Sequence, residues 1–464
     1  MSNSSIPGKI GAFSAILKNF DNSEVRDIRS LILECNIHED IFSHSMSGNI
    51  TLTDAQAFQT NFPIVGDEEL QIGLVSAGRD EPQILTNFRV YKMDNKIAVK
   101  DRVDLYSLYF ASAPMVFDQA QLVTGAYGPS SAENIIRRIF NTYIKPISST
   151  SLITSETCVG SHQFIYPRMS AFRSIALTAS EAVSEVYPDS MLVFYETHEG
   201  YHFRSLASLF DQEPVETYYW TTQNVREDSS ELLKLGAHSY RKHQIIISYS
   251  HHKSFDVLRG LTTGQYGMTH QYIDPLLKTY NSKTYAYTKQ FKTSNHVGNT
   301  SYPSLRASSP FLVSAELAHS RYHVTSLSQS DSTFITGRMG LVNQLNYPRR
   351  RTDVIASVHS SFVQLHNTSV LLVAVPGYSK LSAGQVVDLV LPDMSGNGRE
   401  GKYERGRYLV TSLCHRITDG VYTTILECMR DGRTSPIRNV PSDSVAGMIM
   451  PITTLSQDDY TGAD

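Results

Sequence analysis

Two separated stretches of this 464-residue chain consist of short strand-like segments, and this pattern constrains the fold more than any other feature. In residues 28–115, alternating runs such as NITLTD are separated by turn residues at Ser45–Gly48, Pro63 and Gly66. Residues 352–430 return to strand-like text in VIASVHSS, SVLLVAVPG, GQVVDLVLP, GRYLVTSLCHRI and YTTILECM. Strands at this spacing favour antiparallel barrels or sandwiches, so the sequence predicts a mainly β protein.

Turn residues inside these stretches predict where strands reverse. Asp94 and Asn95 separate the runs NFRVYKM and KIAV, which predicts a hairpin. Pro376-Gly377 and Asp419-Gly420 predict further turns. Three arginines, residues 349–351, follow Pro348 and could touch phosphate or acidic protein, but we interpret them as a solvated turn.

The sequence between the two β-rich stretches has helical character as well. Residues 130–133, SSAE, have capping-box spacing and precede a run of helical period. Ser170 is the expected N-cap of a second helix that buries Phe172, Ile175 and Ala179. The strand-like MLVFYE and YHFRSL follow, which predicts a compact α/β domain. From Tyr240, HQIIISYS and SFDVLRG are again strand-like.

Residues 198–202 read H-E-G-Y-H and match H-E-x-x-H, the two-histidine signature of zinc metalloproteases. That site needs both histidines on one face of a helix, with the glutamate as general base. Here both flanks prefer strands, so we expect strand–turn–strand with Glu199-Gly200 at the turn and the polar side chains exposed. Third-ligand candidates Glu213 and Glu216 lie in loop-like sequence beside Pro214. We therefore expect no metal site here.

Composition excludes some classes of function. Net charge is −4, whereas a dedicated nucleic-acid binder is normally basic. The four cysteines contain no C-x-x-C pair, so they are expected to be core residues in a reducing compartment: Cys35, Cys158, Cys414 and Cys428. The longest apolar run, residues 370–375, is too short to cross a bilayer. No signal peptide, catalytic motif or cofactor motif is recognised, so we expect a non-enzymatic protein that is assembled in a cytoplasm.

Four segments, taken in order, resemble the central hub proteins of contractile-tail bacteriophage baseplates. That superfamily includes phage late-control D proteins and type VI secretion spike hubs. The segments are GNITLTDAQAFQTNFPIVGDEELQIGL at 48–74, FIYPRMSAFRSIALTASEAVSE with LVFYETHEGYHFRSLASLF at 164–210, GQYGMTHQYIDPLLKTYNSKTYAYTKQF at 264–291, and VPGYSKLSAGQVVDLVLP with GRYLVTSLCHRITDGVYTTILECMRDG at 375–432. H-E-G-Y-H falls on a hairpin where this family places no metal.

The resemblance implies two antiparallel β-barrels similar to the tail-tube subunit, plus an α/β domain and a small inserted domain. The expected divisions are a first barrel at 1–115, the α/β domain at 116–212, a second barrel at 213–260 with 337–434, the insertion at 261–336 and a C-terminal extension at 435–464. Three copies would place six barrels in a ring that adapts a sixfold tail tube to a threefold spike and lines a channel for DNA.

The partners implied are other copies in a homotrimer, a tail-tube or tube-initiator protein, a central spike, the tape-measure protein and baseplate wedge proteins. The location implied is the virion tail, with DNA only in transit and no membrane insertion. We expect loops facing the bore to lack Lys and Arg enrichment. In the C-terminal extension, apolar residues are a candidate clamp on a neighbour or spike, with a disordered tail as the alternative: Met448, Ile449, Met450 and Ile452.

Three other functions stay open at this point. One is a zinc-dependent or lytic tail hydrolase built around residues 198–202. Another is a different tail ring component, such as a distal tail or tube-initiator protein. The third is the secreted spike hub of a bacterial injection system, which is usually fused to a needle that this sequence lacks.

Overall fold

Antiparallel strands dominate the structure, which confirms the mainly β fold class. The computed structural model describes residues 8–21, 23–76, 84–100, 103–148, 150–220, 243–253, 255–274, 278–286, 291, 294–298, 300–301, 322–326, 349–391 and 404–433. Strands β1 to β12 are Ile10–Lys18, Val25–Asp27, Ile32–Asp40, Ser47–Asp54, Glu69–Ser76, Ile84–Lys100, Val103–Ser112, Leu122–Ser130, Leu152–Ser155, His162–Ser170, Leu192–Thr197 and Gly200–Ser205. Strands β13 to β23 are Glu216–Tyr219, Ser248–Lys253, Gly267–Asp274, Thr279–Ala286, Thr300–Ser301, Tyr322–Ser326, Ser369–Pro376, Val386–Val390, Gly406–Thr418, Val421–Arg430 and Gly432–Arg433.

Helices are fewer and mostly short. Helices α1 to α7 are Phe58–Asn61, Ala113–Asp118, Ala132–Ile139, Ala171–Glu181, Leu206–Phe210, Val257–Thr263 and Arg349–Thr368. A 3-10 turn spans Arg29–Leu31, and a π-helical turn, Phe140–Ile144, continues α3.

The first barrel is a closed ring of eight hydrogen-bonded strands. β1 pairs with β5, and the order continues β6, β7, β4, β3, β21 and β22, with every pairing antiparallel. A bridge between Lys9 and Val421 returns the ring to the segment before β1. The interior is a cluster of buried apolar side chains that includes Phe88 and Phe110, together with Ile417 and Tyr422 from the far end of the chain.

A second ring of strands closes in a similar way. β13 runs parallel to β20, and β20, β21, β22, β19 and β14 then pair antiparallel. A bridge from Tyr219 to Ile245, just before β14, closes the second barrel. Its core includes Tyr218, Val373 and Leu389.

The two barrels share one hairpin, β21–β22. Val410 and Leu426 face the second core, whereas Ile417 and Tyr422, nearer the turn, face the first. The turn residues have positive φ, 50° at Asp419 and 76° at Gly420, as a type I′ hairpin requires, so the turn predicted there is confirmed. The described part of the large sheet thereby joins 13 strands.

The region between the barrel segments combines helices α3 and α4 with two small sheets, β8–β10 and β9–β12–β11. The predicted N-cap of α4 is confirmed, because the Ser170 hydroxyl accepts a hydrogen bond from the Arg173 N–H. At α3 the N-cap is Ser131 and not Ser130, and the Ser131 hydroxyl donates to the Glu133 carboxylate at 2.6 Å. The capping sequence is therefore displaced by one residue from the predicted box.

The hairpin predicted at Asp94-Asn95 is wrong. β6 is one 17-residue strand, and its register against β7 shifts between Asp94 and Ile97. Asn95 takes the left-handed conformation with φ of 56°. The turn-prone pair produces a β-bulge because β7 offers a continuous partner on both sides of it.

Two segments predicted as strands are helices. The last four residues of SFDVLRG begin α6, whose N-cap Asp256 accepts from the Arg259 N–H at 2.8 Å. VIASVHSS lies within α7, which begins at Arg349, so the solvated turn expected for the arginines is also wrong. Ser360 and Leu365 of α7 are fully buried, and this packing outweighs the β-propensity of the segment.

Three of the four cysteines are core residues, as expected. All four are free thiols, and Cys35, Cys158 and Cys428 are buried. These three lie in the apolar cores, whereas Cys414 is only partly buried. Burial raises the pKa of the Cys158 thiol to about 12, so this thiol is unreactive. No helix in the described part of the chain combines the length and apolarity needed to span a membrane.

Candidate functional site

The H-E-G-Y-H motif lies on the hairpin formed by β11 and β12. Thr197 pairs with Gly200, so the predicted strand–turn–strand conformation is confirmed, but the turn is His198-Glu199, one residue earlier than the predicted Glu199-Gly200. Gly200 has φ of 152°, and a Cβ there would lie 2.7 Å from the Ser151 carbonyl oxygen. The glycine is needed because the hairpin packs closely against the segment that enters β9.

The expected exposure of the motif histidines is wrong. The His198 side chain is 5% exposed and His202 is 9% exposed, whereas Glu199 is exposed. The hairpin is covered because it packs against both barrels. Thr154 and Thr197 hydroxyls lie 3.0 and 3.1 Å from the two ring nitrogens of His202. Both nitrogens of His202 are thus engaged.

Glu39, at the end of β3, is the centre of the polar contacts around this hairpin. Its Oε1 accepts from the backbone N–H of His198 at 2.9 Å and lies 2.8 Å from His198 Nδ1. Its Oε2 accepts from the backbone N–H of Ala383 at 2.9 Å. One buried carboxylate therefore ties the first barrel to the hairpin and to the loop that leads into β20 of the second.

Glu39 and His198 each stabilise the charged form of the other. Burial alone would raise the pKa of Glu39, but His198, His415 and the Ala383 N–H together outweigh it and the net shift is downward. Burial alone would lower the pKa of His198, and Glu39 reverses that shift to a rise. The two side chains form a desolvated ion pair, which is stable only while both partners are present.

His415 on β21 completes the group. It is fully buried, its ring centre lies 6.2 Å from that of His198, and its Nδ1 lies 2.7 Å from the Tyr422 hydroxyl. Burial lowers the pKa of His415 to about 4. Glu39, His198 and His415 each offer one metal-ligating atom within 4.8 Å of the others, and we call these three residues the junction triad.

Among the described residues, Nε2 of His198 and Nε2 of His415 are buried without a hydrogen-bond partner. Glu213 and Glu216, the third-ligand candidates by sequence, lie just before β13 and at its start and do not belong to the triad. Glu199 and His202 are likewise outside it. The arrangement differs from that of a zincin, which needs both motif histidines and the glutamate around one metal.

Glu196 is a second buried carboxylate on the same hairpin. Its Oε2 accepts from the backbone N–H of Met46 at 3.0 Å, beside β4 of the first barrel. Burial raises its pKa to about 7. Glu196 and Glu39 thus hold the hairpin to two neighbouring strands of the first barrel.

No protein-family model matches the chain, and no curated protein matches it. Two solved tail proteins do share its fold. A 43 kDa tail protein of prophage MuSo2 from Shewanella oneidensis is 9% identical with a TM-score of 0.52, over 90% of this chain and 99% of that one.

The second solved structure is a tail protein from Neisseria meningitidis. It is also 9% identical, with a TM-score of 0.51, and the match covers 90% of this chain and 97% of that one. Identity at this level concerns the fold. The fold expected from the resemblance to tail hub proteins is therefore confirmed along most of the chain.

Sequence reasoning missed Glu39 and His415, although a signal for each is present. In β3, Glu39 follows Cys35 and Ile37 at intervals of two, so it lies on the buried face. In β21, His415 lies between Leu413 and Ile417 on the buried face. A charged or titratable residue on the apolar face of a strand marks a site that needs a partner.

The partner-binding residues predicted in the C-terminal extension are Met448, Ile449, Met450 and Ile452. All four lie outside the described residues.

Proposed function

We propose that this chain is a structural protein of a phage-type tail, a baseplate hub that joins the tail tube to a central spike. The observation that carries the proposal is the pair of closed strand rings in one polypeptide, joined through the β21–β22 hairpin. The two solved structures of similar fold are themselves tail proteins, which supports the same role.

The proposed mechanism is geometric. A chain with two similar barrels, repeated three times around an axis, forms a ring of six barrels with threefold symmetry. One face can then match a sixfold tube and the other a threefold spike. We propose the domain divisions stated above for this arrangement, with one change: the hairpin β21–β22 belongs to the first barrel as well as to the second and fixes the angle between them.

Exposed apolar side chains on β6 support an extensive protein contact. Leu85, Tyr91, Ile97 and Val99 are each half or more exposed. Obligate interfaces bury apolar and aromatic residues of this kind. We assign this strand to the contact with a neighbouring copy in the ring. The remaining partners in the proposal are a tail-tube or tube-initiator protein, the spike, the tape-measure protein and wedge proteins, with DNA in passage.

Mass measurement of the purified chain tests the ring. Three copies of a 51.9 kDa chain should give a particle of about 156 kDa in light scattering or native mass spectrometry. Images should show six barrels around a threefold axis. Leu85→Asp with Tyr91→Asp should release single chains, whereas Ile165→Asp, at an exposed position on β10, should not. A wild-type chain that stays monomeric at high concentration, alone and with its spike, would refute the hub.

The C-terminal extension is part of this proposal, as a clamp formed by Met448, Ile449, Met450 and Ile452. Apolar residues on a terminal segment usually have a partner. Deletion of residues 442–464 should leave the mass of the ring unchanged and abolish co-purification of the spike protein. Normal recovery of the hub–spike complex after this deletion would rule out the clamp while leaving the ring intact.

A further inference from the structure

The junction triad contains chemistry that the tail role does not use. Two imidazole nitrogens, His198 Nε2 and His415 Nε2, are buried without a hydrogen-bond partner among the described residues. Buried polar atoms are normally satisfied, so each such atom requires an explanation. Both atoms belong to side chains that are less than a tenth exposed, beside a fully buried carboxylate.

We propose that Glu39, His198 and His415 bind one Zn²⁺ ion in a structural site. Imidazole nitrogen together with carboxylate oxygen is a donor set that zinc takes readily. The proposal departs from the expectation of no metal drawn from the H-E-G-Y-H motif, because only one residue of that motif takes part. The other two ligands come from β3 and β21 and are remote in sequence.

Distances permit the site with modest movement. The candidate ligand atoms lie within 4.8 Å of one another. Zinc bonds of about 2.0–2.1 Å in tetrahedral geometry place ligand atoms roughly 3.4 Å apart. Glu39 Oε1 and His198 Nδ1 now lie 2.8 Å apart, so these two atoms would separate slightly around the ion, which replaces the His198 Nδ1 proton, and His415 would move toward it. The Ala383 N–H holds Oε2 of Glu39, and this contact keeps the carboxylate oriented beside both histidines. A water molecule can take the fourth position.

Burial makes the site structural and not catalytic. The side chains of Glu39, His198 and His415 are 0%, 5% and 0% exposed, so a substrate has no approach to the metal. Catalytic zinc also has three protein ligands and a water, but it needs a path by which a substrate reaches that water, and this buried site has none. The ligands come from the first barrel, the hairpin and the shared strand β21, so one ion would cross-link three parts of the chain.

His202 provides a matched control on the same hairpin. It is buried to a similar degree, but hydroxyls of Thr154 and Thr197 engage both of its nitrogens. A zincin would use His202 as a ligand, whereas the proposed site would not. The two zinc sites therefore make opposite predictions for the same substitution.

Metal analysis of the full chain tests the site. After treatment with a chelator, the wild-type protein should take up one zinc per chain by elemental analysis. It should also bind Co²⁺ with the visible bands of tetrahedral coordination. His415→Gln should lose this uptake, and His202→Gln should keep it. Circular dichroism of each variant establishes that it is folded.

Several results would overturn the proposal. One is a wild-type chain that takes up no zinc or cobalt above background, and another is zinc retained by folded His415→Gln. Zinc lost by folded His202→Gln would favour the metalloprotease site. If a variant does not fold, X-ray absorption spectroscopy of the zinc-loaded wild type identifies the ligands of the metal. Two imidazoles and one carboxylate would support the junction triad, and any other donor set would exclude it. These results do not depend on whether the chain forms a trimeric hub.

Discussion

At the residue scale, Glu39 is expected to matter most for stability. It accepts two backbone N–H groups and pairs with His198 while fully buried. Glu39→Gln removes one member of this buried pair and should lower the free energy of unfolding by about 3–5 kcal/mol, measured by urea denaturation. On the same strand, Glu34 pairs with Arg416 at 3.0 Å near the surface. Glu34→Gln should cost less than about 1 kcal/mol, and equal effects would contradict the prediction.

Glu196 should make stability dependent on pH. Burial raises its pKa from 4.5 to about 7, against the opposing hydrogen bonds from Ser112, Met46 and Tyr201, and the neighbouring Glu39 also raises it. The folded state therefore keeps a proton that the unfolded state releases. This contribution to stability is complete below pH 4.5 and is lost as pH rises through 7.

Glu196→Gln should remove that dependence. Between pH 5 and pH 8 the wild type should lose about 2–3 kcal/mol of unfolding free energy that the variant retains, as measured by urea denaturation at both values. Glu199→Gln is the control, because Glu199 is exposed on the same hairpin. If the wild type and Glu196→Gln show the same pH profile, the Glu196 pKa is not raised.

At residues 198–202 the local conformation could be predicted from the sequence, but the burial of the side chains could not. Gly200 and the strand-like flanks were sufficient to predict the turn, because turn chemistry is local. The burial of His198 was not predictable in the same way. It depends on Glu39, which lies 159 residues earlier in the chain. The polar residue on the apolar face of β3 was visible in the sequence, but its partner was not.

At the scale of elements, the close approach of β3, β4 and β7 depends on Gly48. A Cβ at this position would lie 2.2 Å from the Asn36 carbonyl oxygen and 2.4 Å from the Phe110 ring. Gly48→Ala should therefore force β3 or β7 outward and cost about 1–3 kcal/mol or more in a denaturation experiment. Ser47→Ala, one residue earlier on β4, should have a much smaller effect. A fully stable Gly48→Ala protein would show that these strands can separate without cost.

The wrong predictions of a hairpin at Asp94-Asn95 and of a strand within α7 each have a physical explanation. Asp94 and Asn95 form a bulge because β7 continues past them as a pairing partner. In α7, Val358, Phe362 and Leu365 recur at helical spacing, a signal that the β-branched residues of the segment obscured. The helix forms because that face packs against the second barrel region, which local propensity does not report.

At the scale of the whole molecule, charge predicts how the chain behaves toward DNA. With 41 Lys and Arg against 45 Asp and Glu, it lacks the basic excess that holds phosphates. The purified chain should not retard duplex DNA in an electrophoretic assay, even at about 50 mM salt. A retarded band that disappears as salt increases would indicate a basic surface, and a bore lined with Lys and Arg would contradict the proposed DNA channel.

The overall fold could be predicted mainly from the order of four degenerate segments, since no single one of them is specific. The sharing of strands between the barrels could not be foreseen. It depends on pairing of β3 with β21, in which Glu34–Asp40 meets Ser412–Thr418. Such distant pairing leaves no periodicity in either strand, because each alternates as an ordinary half-buried strand would.

The common hairpin has a consequence for how the molecule comes apart. Removing β21 and β22 would open both barrels at once. Each barrel would then expose unpaired strand edges, which are prone to aggregate. Neither half is therefore expected to survive as a fragment expressed on its own. Heating should melt both halves together in a single transition, so the angle between them is lost only when the chain itself unfolds.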